Sequence, residues 1–118
     1  MVDDCKHLRK ALERLLRSAG MDVETFPSGA EFLDAMRSRK PDCLVLDLHM
    51  PEMDGFEVQS RLAQSGGTRL PVVVITADDT PESHRRALVG GAAAYVLKPI
   101  DEQVLLDAIA AAISKQDC

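Results

Sequence analysis

Aromatic side chains are scarce in this 118-residue chain, with no tryptophan, one tyrosine and three phenylalanines. Such a composition offers no platform of rings on which bases could stack. The formal net charge of −5 removes the attraction toward nucleic-acid backbones and anionic lipid that a basic domain would have. No apolar run approaches the roughly 20 residues needed to cross a bilayer. The opening residues lack the charged, apolar and small-residue succession of a secretory leader, so a cytoplasmic location is expected. Cysteine is also thinly used. Cys5, Cys43 and Cys118 form an odd set without zinc-type spacing, which excludes a disulfide framework as the organising device. Cys43, inside an apolar run, reads as a small buried hydrophobe.

What is present is a core. At 46% apolar, the length suits one compact domain over residues 1–118. Leu8, Leu12, Leu15, Leu16 and Ala19 share one face of a helix over Lys6 to Ala19, and Gly20 stops it. Met21 to Phe26 alternates weakly and predicts a short strand. Ser28 with Glu31 forms a capping-box pattern that opens a second helix carrying Phe32, Leu33 and Met36 inward. The unbroken apolar run Cys43 to Leu46 predicts a buried strand closed by Asp47. A third helix covers Phe56 to Ala63, and Pro71 to Thr76 is a second apolar strand. Thr80-Pro81 supplies a cap and first-turn proline for a fourth helix that runs to Gly90-Gly91. Tyr95 to Leu97 is a last short strand. Asp101 caps a final helix with Val104, Leu105, Ala108, Ile109, Ala112 and Ile113 inward. Strands alternating with five helices, the central strands wholly apolar, call for a parallel α/β sheet covered on both faces.

The strand ends concentrate the chemistry. Ligands bind at the carboxyl edge of such sheets, where Asp47, Thr76 and Lys98 each terminate an apolar run. Each has an ordinary reading when taken alone: a turn former, a β-former and a solvated lysine. With the acidic pair Asp3-Asp4 at the same edge, several carboxylates crowd one pocket. Two of them ~4 Å apart repel by roughly 4 kcal/mol at an effective dielectric of about 20. A cation would relieve that repulsion, and Mg²⁺ suits a few carboxylates plus water and phosphate oxygens.

Val2-Asp3-Asp4, Leu46-Asp47 with Met50-Pro51 and Asp54-Gly55, Ile75-Thr76-Ala77 and Tyr95-Val96-Leu97-Lys98-Pro99 resemble the receiver domain of two-component response regulators. The resemblance covers nearly the whole chain, with four motifs in register. It implies a flavodoxin-like doubly wound sheet of strand order 2-1-3-4-5 with five helices. It further implies that Asp47 accepts a phosphoryl group and that Mg²⁺ binds Asp4, Asp47 and the backbone carbonyl of His49, with Asp3 acting through a metal-bound water. Lys98 would pair with Asp47 and then with the phosphoryl group. Thr76 and the Ala77 amide would hold a phosphoryl oxygen, and Thr76 with Tyr95 would form the switch. The Lys98-Pro99 bond is expected to be cis.

The implied partners are a sensor histidine kinase or histidine phosphotransfer protein. The resemblance leaves room for a homodimer through the fourth helix, last strand and last helix, and for either an effector domain beyond the last helix or a stand-alone shuttle. Catalysis would be limited to self-phosphorylation and autodephosphorylation. Two other readings compete. A haloacid-dehalogenase-like phosphatase would also use Asp47, but needs an acid at position 49, where histidine stands. A flavin carrier would need a phosphate loop that this chain lacks. The chain departs from the receiver pattern at one place: only Met1 and Val2 precede the acidic pair. The first strand, interior in such a sheet, is therefore expected to be cut short and to leave backbone groups unpaired. His49 lies at the pocket mouth, and His84 is expected on an exposed face of the fourth helix.

Overall fold

The computed structural model describes residues 1–3, 5–38, 41–50, 52–64 and 70–116. Leu44–Asp47 forms strand β1 and Val72–Thr76 strand β2, every residue of both being buried. Continuous Val, Leu and Ile runs behave this way when helices cover both faces of a sheet. Strand β3 spans Ala92–Leu97 and so begins before the predicted Tyr95. The three strands are parallel in the order β1-β2-β3.

Side-chain alternation divides the core in two. Val45, Val73 and Ile75 pack with Leu12, Leu16, Leu105, Ile109 and Ala112 on one face. Leu44, Leu46, Val72 and Val74 pack with Phe32, Val58 and Ala87 on the other. Helices α1 (Lys6–Ser18) and α5 (Glu102–Gln116) therefore cover the first face. Helices α2 (Gly29–Ala35), α3 (Gly55–Gln64) and α4 (Pro81–Val89) cover the second. The predicted caps form: Ser28 accepts the Glu31 amide and Thr80 the Ser83 amide, each at 3.3 Å. Asp101 Oδ1 accepts the Gln103 and Val104 amides at 2.9 and 3.1 Å. Gly20 and Gly91, at φ of 89° and 102°, make the left-handed turns that end α1 and α4.

Three expectations are corrected. Met21 to Phe26 is not a strand; Phe26 alone makes a parallel bridge, to Val2. In that bridge the Phe26 amide donates to Met1 O at 2.8 Å and the Phe26 carbonyl accepts the Asp3 amide at 3.2 Å, too few bonds for a ladder. Val104 is exposed rather than inward, because the buried stripe of α5 runs through Leu105, Ile109 and Ala112 and leaves Val104 about 100° to the side. Ala19 is likewise exposed, at the C-cap of α1.

Val2 takes the position of the first strand. Val2 bridges both Phe26 and Leu46. Its amide donates to Val45 O at 2.8 Å and its carbonyl accepts the Asp47 amide at 2.9 Å. Read across, Phe26, Val2, β1, β2 and β3 reproduce the order 2-1-3-4-5. At the amino end of the sheet a cavity of about 870 Å³ opens among Met1, Val23, Phe26, Cys43 and Ile113. Among the described residues no helix is long and apolar enough to cross a membrane.

Candidate functional site

At the opposite, carboxyl end of the sheet, Val2 sets Asp3 beside the exit of β1. Asp3 is fully buried and Asp47 is 3% exposed. Lys98, leaving β3, spans both: its Nζ lies 3.1 Å from Asp3 Oδ2 and 3.3 Å from Asp47 Oδ1. The lysine is aimed by a ladder bond from its amide to Thr76 O at 2.8 Å, and the following Lys98-Pro99 bond is cis. Burial alone would lower the Lys98 pKa, but the Asp47 and Asp3 carboxylates together outweigh it and the net direction is upward. Asp3 is held further by the Cys5 amide, which donates to its Oδ1 at 2.8 Å, and by Arg9, whose Nη1 donates to its backbone carbonyl at 2.7 Å.

Among the described residues, two buried carboxylates meet one ammonium, a formal excess of one negative charge. Burying charge without full compensation is costly. A hard divalent cation with oxygen ligands would complete the balance, so the donor set fits Mg²⁺. Among the described residues no three metal-binding side chains gather as a ready-made cage. Asp4, the other predicted metal ligand, lies outside the described residues. Gly55 closes the rear of the pocket, since a Cβ there would stand 2.7 Å from Asp47 O and 2.8 Å from Leu48 Cα. Only glycine permits that approach.

Thr76 is fully buried at the end of β2, one residue past Ile75, the ladder partner of Asp47. Its Oγ1 accepts the Asp78 amide at 3.1 Å. Ala77 follows and is exposed. Tyr95 is half-buried, donates its hydroxyl to the Asp78 carbonyl and stacks on His84 with ring centroids 4.6 Å apart. Burial, then the charges of Asp78 and Asp79, raises its pKa.

The residue that sequence reasoning passed over is Asp78. Its carboxylate accepts the Ser83 hydroxyl at 2.7 Å and the Thr80 amide at 2.9 Å, and meets His49 Nε2 at 3.1 Å. Those hydrogen bonds, Ser83 foremost, hold its carboxyl well below the usual range. A polar residue just upstream of the Thr80-Pro81 cap was the only available signal.

The sequence matches the response regulator receiver domain over residues 1–110. The chain belongs to that family. It is 41% identical over 113 residues to the sensory/regulatory protein RpfC of Xanthomonas campestris, covering 93% of this chain and 16% of that protein. To the response regulator TodT of Pseudomonas putida it is 36% identical over 113 residues, covering 96% and 49%. To the response regulator MprA of Mycobacterium avium it is 42% identical over 106 residues, covering 90% and 46%. The receiver thus spans less than half of each of these relatives. Among solved structures, the response regulator StyR aligns with a TM-score of 0.80 at 46% identity, over 96% of this chain and 57% of that one. A Francisella response regulator receiver domain shares the fold at a TM-score of 0.91 and 23% identity, over 98% and 94%.

Proposed function

We propose that residues 1–118 form a single phosphoacceptor signalling unit acting in the cytoplasm, in which Asp47 takes a phosphoryl group from a phosphohistidine. The donor would be a sensor histidine kinase or histidine phosphotransfer protein. The observation that carries this reading is the Lys98 ammonium, held 3.1 and 3.3 Å from two buried strand-end carboxylates. Phosphoryl transfer asks a protein for an in-line nucleophile and neutralised oxygens, and for little else. A carboxylate oxygen of Asp47 forms the new P–O bond while the P–N bond to the donor imidazole breaks and that nitrogen takes a proton.

Mg²⁺, held by Asp4, Asp47 and the His49 backbone carbonyl with Asp3 behind a water, would supply charge neutralisation at the transferring group. Lys98 shifts its ammonium from Asp47 to the phosphoryl oxygens. The Thr76 hydroxyl and the Ala77 amide donate to one of those oxygens. Water later cleaves the acyl phosphate and restores the Asp47 carboxylate with release of inorganic phosphate. Thr76 and Tyr95 report the change to the surface of α4, β3 and α5, where a second copy or an effector domain would dock.

Incubation with acetyl phosphate and Mg²⁺ tests this reading by intact mass. The expected result is one phosphoryl adduct per chain, absent in Asp47→Asn, with no sustained hydrolysis of p-nitrophenyl phosphate. Steady turnover of that ester without an adduct would instead establish a phosphatase.

A further inference from the structure

The loop after β1 and the loop after β2 are joined at one point. His49 stands two residues beyond Asp47, and Asp78 two residues beyond Thr76, so their contact crosses the gap between adjacent strand exits. An ionised carboxylate can only accept, so His49 donates through Nε2 across the 3.1 Å contact. Asp78 carries several other ties. Its amide donates to Thr76 Oγ1, its carbonyl accepts the Tyr95 hydroxyl, and its carboxylate accepts from Thr80 and Ser83 at the start of α4. One residue thereby touches the buried threonine, the tyrosine and the fourth helix, and His49 is its only described tie to the β1 exit loop.

We infer that the His49–Asp78 bridge is a latch that holds Tyr95 in its half-buried seat. His49 is thus a positioning residue for Tyr95, acting through Asp78. With the bridge intact, the β2–α4 loop is tethered at both ends, and Tyr95 has a fixed carbonyl to bond and the His84 ring to stack on. Without the His49 tether, Asp78 keeps its bonds to Thr76 and to the start of α4 but loses its tie to the β1 exit loop, and the Tyr95 hydroxyl has a less fixed partner. The functional consequence, release of the α4 and β3 surface, rests on the phosphoacceptor reading above. The latch itself does not, because it is made of side-chain contacts of the chain alone.

The chain carries one tyrosine and no tryptophan, so intrinsic fluorescence reports Tyr95 alone. Acrylamide quenching is measured on the full, unphosphorylated chain for the native protein, His49→Ala, His49→Gln, Asp78→Ala and the His49→Ala/Asp78→Ala double variant. The latch predicts a Stern–Volmer constant about twofold higher in His49→Ala. It predicts a native value in His49→Gln, whose amide N–H reaches the same carboxylate. The double variant should be no more quenchable than Asp78→Ala. Unchanged quenching in His49→Ala, or effects of the two substitutions that multiply independently, would overturn the latch. Far-UV circular dichroism on each variant separates loss of fold from loss of latch, and the comparison of His49→Ala with His49→Gln carries the test by itself should Asp78→Ala not fold. Failure of the native chain to accept phosphoryl from acetyl phosphate would sink the proposed function and leave this result standing.

Discussion

At the carboxyl end of the sheet, Lys98 reaches two buried carboxylates within 3.3 Å. At the amino end, Met1, Val23 and Cys43 line an open cavity of about 870 Å³. The same strands run between these two places, yet one end is packed and charge-paired while the other is loosely filled. The difference lies in the ladder. Strands β1, β2 and β3 pair along their lengths and carry Asp47, Thr76 and Lys98 on fully formed neighbours. The Phe26 and Val2 side of the sheet rests on single-residue bridges. On that side, the two bonds between Val2 and β1 set Asp3 at the reactive edge.

The largest test of that contrast removes the cation from the packed end. Lys98→Ala removes the ammonium that lies 3.1 Å from Asp3 and 3.3 Å from Asp47 and should cost on the order of 3 kcal/mol, read from urea unfolding. A loss below about 1 kcal/mol would mean that water already screens the pair. At the other end the Met1 ammonium is itself buried, and burial pushes its pKa down from 8.0 to about 6. For a chain with that free amino group, the folded state disfavours the charged form. Stability is then full above pH 8, falls as pH drops through 8 to 6, and loses up to roughly 3 kcal/mol, two pKa units at about 1.4 kcal/mol each. N-terminal acetylation should flatten the curve; a flat curve before acetylation would place the amine in water.

Core substitutions sharpen the contrast further. Ile75→Ala, at the centre of the ladder and fully buried, should cost about 2–4 kcal/mol. Val23→Ala, on the cavity wall, should cost less than about 1 kcal/mol, since little surrounds the deleted methyl groups. Equal losses would mean that the cavity closes in solution. Smallest of all, Asp47→Asn should raise the unfolding free energy by ~1 kcal/mol without metal, because Lys98 then faces a single carboxylate.

Much of this was legible before the fold was known. Asp47, Thr76 and Lys98 stand at the ends of apolar runs, and buried parallel strands announce themselves by just such runs. The caps at Ser28, Thr80 and Asp101 were equally readable, because a cap is a contact between near neighbours. The Met21 to Phe26 segment was not, since its alternation was genuine but a strand depends on ladder bonds from a neighbour, and only Phe26 makes that bridge. Asp78 was hidden for a related reason: its bonds to His49 and Tyr95 span 29 and 17 positions. No local pattern records contacts at that range. Val104 misled because an apolar residue beside a buried stripe looks the same in sequence as one within it.

Residue-level mapping of the acyl phosphate bears most directly on the reactive edge. After treatment with acetyl phosphate and Mg²⁺, borohydride reduction converts a phosphorylated aspartate to homoserine, which peptide mass spectrometry locates. Homoserine at position 47 alone is the expected result. A reduced residue at another carboxylate, with Asp47 untouched, would contradict the assignment of Asp47 as acceptor.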